Sequence, residues 1–183
     1  MKTGTGNFAL IALLIISVLV PAAGAEDWQA RLATELPVLG HRNWIVVADS
    51  AYPKQSAPGI ETIDTGGGQI EVLSHVLAAV QKAPHVRAVV MMDAELASVS
   101  EEDAPGVTAY RESLKKVLDH NQVKVMPHEE IIGSLDESAK LFNILLLKTR
   151  MTIPYTSVFL QLDCAYWNAD KEKRLRSALE QQK

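Results

Sequence analysis

The sequence predicts an α/β fold: a single-domain sandwich with a largely parallel central sheet flanked by helices. Short, continuous apolar runs alternate along the chain with segments whose apolar residues recur every three or four positions. Continuous apolar runs are typical of strands covered on both faces, and helices between successive strands favour parallel pairing. The length of 183 residues suits one domain and is too short for two of ordinary size.

The predicted elements follow from these patterns in chain order. Pro37 and Gly40 end the first helix. The predicted helices are Trp28 to Leu36, Ile70 to Val80, Thr108 to His120, His128 to about Lys140 and Lys171 to Leu179. The predicted strands, mostly apolar, are Trp44 to Ala48, Ile60 to Ile63, Val86 to Met92, Val123 to Met126, Ile144 to Leu147 and Val158 to Leu162.

The N-terminus has the pattern of a secretory signal peptide. The run from Phe8 to Val20 is apolar apart from one serine, and it is shorter than the roughly 20 residues that a spanning helix needs. Small residues from Ala23 to Ala25 precede the acidic Glu26, which predicts cleavage after Ala25. An uncleaved membrane anchor is the alternative. The prediction implies a periplasmic or secreted protein without stable membrane insertion after cleavage.

The chain is thus divided into three parts: a signal peptide at 1–25, a domain at 26–167 and a charged C-terminal helical extension at 168–183. A formal net charge of −4 and an aromatic content of 5% argue against a nucleic-acid partner. The single cysteine, Cys164, excludes an intrachain disulfide and a multi-cysteine zinc site, and we expect it to be buried and inert. No metal-ligand motif is present in the sequence.

Candidate site residues lie at the ends of the predicted strands. In open α/β sheets ligands bind beyond the carboxyl ends of the strands. Asp49 follows the first long strand, Asp93 and Glu95 follow the next, and His128 follows a third. His41 lies just before the first of these strands. For each histidine taken alone, a packing or surface role is the more common alternative.

The segment from Gly40 to Pro53 reads Gly-His-Arg-Asn-Trp-Ile-Val-Val-Ala-Asp-Ser-Ala-Tyr-Pro. It resembles the opening signature of the RbsD/FucU sugar mutarotases, the D-ribose pyranases and L-fucose mutarotases, in which Gly-His, a strand, Asp and then Pro follow one another. Further segments resemble the family in the same order, namely Gln69 to Val80, Val89 to Met92, Val125 to Glu129 and Pro154 to Leu160. The resemblance extends from about Leu36 to Ala165.

The resemblance implies a role for each matching residue. His41 matches the general acid of the family. Asp49 and His128 match residues that contact the sugar, and Tyr155 matches the tyrosine of a Tyr-x-Asn motif. Ser157 stands where the family has the asparagine of that motif. These residues are expected to converge on one pocket, within the chain or completed by a neighbouring subunit.

One departure concerns the surroundings of the histidine. Asn43 stands where the family usually has an acid, two residues after His41. A neutral amide stabilises an imidazolium less than a carboxylate does. If the two residues are close, Asn43→Asp is expected to raise the pKa that governs activity.

The implied function is that of a mutarotase: binding of a ribose- or fucose-like monosaccharide and interconversion of its ring forms or anomers by general acid/base catalysis. The resemblance implies no cofactor and no metal, and a ring-like homo-oligomer. Two alternatives remain open. One is a sugar-binding protein with little or no turnover, linked to carbohydrate uptake. The other is an interaction protein that docks through its charged C-terminal helix.

Overall fold

The computed structural model describes residues 27–182, and within that range it has one six-stranded sheet and five α-helices. The predicted signal peptide lies outside the described residues. The strands are β1 Trp44–Ala48, β2 Ile60–Asp64, β3 Val86–Asp93, β4 Val123–Met126, β5 Ile144–Lys148 and β6 Val158–Cys164. The helices are α1 Trp28–Glu35, α2 Gln69–Lys82, α3 Val107–Leu118, α4 His128–Ala139 and α5 Ala169–Glu180.

The strand order is β2-β5-β1-β6-β3-β4, and β6 runs antiparallel to both of its neighbours while the other strand pairs are parallel. The predicted α/β class and the largely parallel sheet are therefore confirmed. The reversal of β6 has a simple cause. Only the segment 149–157 joins β5 to β6, and it is too short for the crossover connection that a parallel pair requires.

Helices cover the sheet on both faces, which explains the continuous apolar runs. In β1, Ile45 and Val47 pack in the larger cluster, with residues of α1, α2 and α3. Trp44, Val46 and Ala48 pack in a second cluster, which includes residues of α4. All five residues of β1 are fully buried. β1 is therefore a fully buried strand that separates the polar residues before it from those after it.

Element ends differ from prediction by a few residues, for local reasons. A short 3₁₀ helix, Ala94–Ser98, follows β3 and was not predicted. α5 begins earlier than predicted because the Asn168 side chain caps it by accepting a hydrogen bond from the Lys171 backbone N–H. The expectation that Cys164 is buried was wrong, since it is partly exposed at the end of β6. Among the described helices, none combines the length and apolarity needed to cross a bilayer.

Candidate functional site

Asp49, at the carboxyl end of β1, is tied to the start of β6. The Ser157 hydroxyl donates to Asp49 Oδ2 over 2.9 Å, and the Asp49 backbone N–H donates back to the Ser157 Oγ over 3.1 Å. The Ala51 backbone N–H donates to Asp49 Oδ1 over 2.9 Å. Ser157 is buried, so this link fixes the carboxylate at the sheet edge. An ionised carboxylate accepts further hydrogen bonds, which suits it to polyhydroxyl ligands.

A second carboxylate lies beside His128, two strands further along the same edge. Asp93 ends β3 and is only 1% exposed, and its Oδ1 lies 3.2 Å from His128 Nδ1. The two groups are not aligned as a hydrogen bond. Within residues 27–182 neither Asp93 oxygen nor His128 Nδ1 has a hydrogen-bond partner. Burial raises the pKa of Asp93, and the His128 ring opposes that shift only in part.

The backbone of His128 is held by a different acid. Both oxygens of Glu95 accept from the His128 backbone N–H, at 3.0 and 3.1 Å, where α4 begins. These contacts cap the helix and lower the pKa of the Glu95 carboxyl. Glu95 therefore fixes the position of His128, while Asp93 faces its ring.

Tyr155 completes this group from the loop before β6. Its ring meets the His128 ring edge to face, with centroids 5.7 Å apart and planes at 80°. The Tyr155 backbone has φ of 59°, a left-handed conformation that tyrosine rarely adopts. Such strained residues cluster at functional sites. The residue as a whole remains 39% exposed.

Gln69, at the start of α2, anchors the loops that carry these residues. It is 1% exposed, and its Nε2 donates to Val47 O over 2.9 Å and to Thr156 O over 2.7 Å. Its Oε1 accepts from the Thr149 hydroxyl over 2.6 Å. Thr156 lies between Tyr155 and Ser157. The end of β1 and the start of β6 are therefore cross-linked through one buried amide.

Tyr52 adds a polar group behind the cluster. Its side chain is 6% exposed, and among the described residues its hydroxyl has no hydrogen-bond partner. Burial raises the pKa of Tyr52, and the negative charges of Asp136, Asp93 and Asp49 raise it further. The hydroxyl therefore stays protonated and keeps its capacity to donate a hydrogen bond.

His41 lies at the opposite end of β1. Its Nδ1 is 2.9 Å from Asp163 Oδ1, near the end of β6. Arg87, near the start of β3, donates to the other oxygen of Asp163 through both Nε and Nη2. The His41 side chain is 56% exposed. The length of β1 separates this group from Asp49 by roughly 15 Å, at about 3.3 Å per residue.

The structure thus brings four of the five predicted site residues to one edge of the sheet, namely Asp49, His128, Tyr155 and Ser157. We call these four residues the strand-end cluster. His41 does not join them within one chain. One chain alone therefore does not bring all five predicted site residues into a single pocket.

Sequence reasoning missed several residues that the structure adds to these sites. Asp93 follows a predicted strand, and this position was itself the signal that could have assigned it a role, because ligands in such sheets bind beyond the carboxyl ends of the strands. Asp163 carries no local sequence signal, because only the reversed direction of β6 brings the end of that strand beside His41. Gln69 and Tyr52 carry no sequence signal that separates them from ordinary helix and turn residues.

The buried carboxyl of Asp93 should lower the stability of the protein at neutral pH. The pKa of Asp93 is raised in the folded state, which means that the folded protein favours the protonated carboxyl. The resulting gain in the free energy of unfolding is present below the ordinary carboxyl pKa of about 4 and is lost as pH rises through the raised value. Asp93→Asn should therefore raise the free energy of unfolding by on the order of 1 kcal/mol at pH 8, with little gain at pH 4.

Urea denaturation at the two pH values measures this difference. Asp119→Asn changes an exposed aspartate and is the matched control, with an expected change within about 0.5 kcal/mol. A loss of stability in Asp93→Asn at pH 8 would show that the His128 interaction outweighs the cost of burial.

The fold and the strand-end cluster define a class of protein: an α/β protein with carboxylate, hydroxyl and imidazole groups together at the edge of its sheet. The chain belongs to the RbsD / FucU transport protein family, whose family model matches residues 28–164. No curated protein sequence matches the chain.

Solved structures that are similar to this one include the following two. Bacillus subtilis RbsD complexed with D-ribose is 22% identical, with 72% of this chain and 90% of that chain covered and a TM-score of 0.52. The fucose mutarotase in complex with L-fucose from Streptococcus pneumoniae is 21% identical, with 75% and 94% covered and a TM-score of 0.49. The likeness to the first structure shows that the fold is shared.

Proposed function

We propose that this protein is a sugar mutarotase that binds a monosaccharide and interconverts its ring forms or anomers by general acid/base catalysis. The observation that carries the proposal is the strand-end cluster, in a chain of the RbsD/FucU family. Its polar groups include a carboxylate that accepts from sugar hydroxyls, a histidine and a tyrosine, which donates or accepts. The RbsD/FucU family and the relative complexed with D-ribose support a monosaccharide substrate.

The chemistry requires two proton transfers and no net consumption of protons. Ring opening removes a proton from the anomeric hydroxyl and adds one to the ring oxygen as the carbon–oxygen bond breaks. Closure reverses these steps on either face of the carbonyl or through a different hydroxyl. His41 is the proposed general acid, since imidazole gains and loses protons near neutral pH. Asp49, His128 and Tyr155 are the proposed sugar contacts.

Because His41 lies far from the strand-end cluster within one chain, a site that contains both needs residues from two subunits. We propose a homo-oligomer in which His41 of one subunit faces the strand-end cluster of its neighbour. Two observations support this arrangement. The first is exposure: the His41 side chain is 56% exposed and Tyr155 is 39% exposed. The second is that β1 keeps these two residues apart within one chain. Closed symmetric assemblies repeat such a head-to-tail contact at every interface.

We also propose that the protein is exported and that its mature form begins at Glu26. The support is the apolar N-terminal run followed by small residues. Mass spectrometry of native material should give a chain that starts at Glu26. A mass that includes Met1 to Ala25 would contradict this.

Saturation-transfer NMR on a panel of aldoses tests the proposed activity. The protein should accelerate exchange between ring forms of at least one sugar, whereas Tyr155→Phe should weaken sugar binding or exchange. Calorimetry on the same sugars separates the alternatives. Binding without accelerated exchange would support the sugar-binding protein, and the absence of both would favour the interaction protein.

A further inference from the structure

The residue at the position of the family acid, Asn43, directs its hydrogen bonds to partners other than His41. The Asn43 Oδ1 accepts from the Gly40 backbone N–H over 2.7 Å, and its Nδ2 donates to Asn143 O over 3.1 Å. Both polar ends of the amide are thus used to close the turn that carries His41. The expectation that Asn43→Asp would tune His41 therefore loses its basis, because a carboxylate there would face the Asn143 carbonyl.

A carboxylate from another strand occupies the place beside the imidazole. Asp163 Oδ1 lies 2.9 Å from His41 Nδ1. The backbone also joins the two segments: the Arg42 N–H donates to Leu162 O over 2.9 Å, and the Leu162 N–H donates to Asn43 O over 2.8 Å. The turn that presents His41 is therefore fixed to the end of β6, directly beside Asp163.

The surroundings of Asp163 keep it ionised. Partial burial acts to raise its pKa, but hydrogen bonds from Arg87, the Cys164 backbone and His41, together with the Arg87 charge, hold the pKa below its usual value. An ionised carboxylate only accepts hydrogen bonds, so Nδ1 of His41 must carry the proton. In the neutral ring this leaves Nε2 as the unprotonated nitrogen that exchanges protons.

We propose that Asp163 is the positioning residue for His41, in place of the acid that the family carries two residues after the histidine. This inference rests on the proposed mutarotase function. Asp163 sets the ring orientation, selects the Nδ1–H tautomer and stabilises the imidazolium that forms when Nε2 takes a proton. Arg87 in turn holds the carboxylate through its second oxygen.

The alternative is that Asp163 and Arg87 form an ordinary surface ion pair that His41 merely touches. Asp163→Asn separates these cases. The amide oxygen would turn toward the Arg87 guanidinium, which leaves the amide N–H₂ facing Nδ1 and favours the opposite tautomer. By analogy with hydrolases, where loss of the acid behind a histidine costs up to about 10⁴-fold, we expect a fall of about 10- to 100-fold in kcat at this partly exposed site.

The experiment combines ¹⁵N NMR of the histidine rings with exchange kinetics in the full-length protein. Wild type should show the Nδ1–H tautomer at His41, and Asp163→Asn should lose it, with kcat reduced and KM little changed. Glu61→Gln is the matched control, because Glu61 is also held by both Nε and Nη2 of an arginine but has no histidine partner within residues 27–182. It should leave the tautomer and kcat unchanged.

A third variant tests whether Arg87 alone accounts for the effect. Arg87→Gln keeps the Asp163–His41 contact, so it should lower kcat less than Asp163→Asn does and retain the Nδ1–H tautomer. If the wild type is active, an unchanged tautomer or an unchanged kcat in Asp163→Asn would overturn the role of Asp163 and leave the proposed mutarotase function standing. Absence of ring exchange in wild type would overturn the proposed function and the role of Asp163 with it.

Discussion

Replacing His41 by glutamine is expected to slow ring exchange by about 10²- to 10⁴-fold, the usual contribution of a general acid or base. Glutamine keeps much of the size and hydrogen-bonding capacity of histidine, but it does not exchange protons near neutral pH. The ring is 56% exposed, and its contact with Asp163 lies at the surface. The cost in unfolding free energy should therefore be about 1 kcal/mol or less.

Saturation-transfer NMR measures the exchange rate, and urea denaturation measures the stability of the same variant. His120→Gln is the matched control, because His120 is an exposed histidine just beyond the end of α3 that, within residues 27–182, has no hydrogen bond to Asp163 or to the strand-end cluster. An exchange rate in His41→Gln equal to that of wild type would remove the general-acid role. A retained affinity for sugar would then favour the uptake-linked binding protein.

The sequence predicted the buried parts of this fold well because their signals are local. β1 and β4 have the predicted bounds, and both faces of β1 are covered, as its continuous apolar run indicated. Composition alone could not give the order of strands. The central position of β6 and its reversed direction depend on how the segment 149–157 crosses the end of β1, which is a long-range property of the chain.

The separation of His41 from the strand-end cluster was within reach of sequence reasoning. His41 precedes β1 and Asp49 follows it, so an extended strand of five residues must hold them apart. The order of the motifs alone does not show this, and it leaves open whether the pocket lies within one chain or is completed by a neighbouring subunit. Ser157 and Tyr155 lie at the same edge as Asp49 only because β6 runs in the opposite direction.

The carboxylate partner of His41 is a feature that local sequence patterns do not reveal. The resemblance to the family places Asn43 where an acid is usual, and the loss of that acid alone predicts a weaker base at His41. The compensating carboxylate, Asp163, lies about 120 residues further along the chain. No local pattern links two positions so far apart, and only the pairing of β6 with β1 and β3 brings them together.

A mixture of two inactive variants should recover activity if the site is shared between subunits. His41→Gln lacks the proposed general acid, and Asp49→Asn weakens the acceptor that holds the sugar hydroxyls, so each alone should be nearly inactive. In a co-refolded mixed assembly, some interfaces combine His41 from one chain with Asp49 from another. Random mixing should restore about a quarter of the wild-type exchange rate, since each interface needs both intact partners.

The most direct test of the account is therefore the ring-exchange rate of this co-refolded mixture, measured by saturation-transfer NMR beside each variant refolded alone. A composite site predicts about a quarter of the wild-type rate in the mixture and almost none in either variant alone. A mixture as inactive as the separate variants, beside a fully active refolded wild type, would contradict the sharing of His41 and Asp49 between subunits.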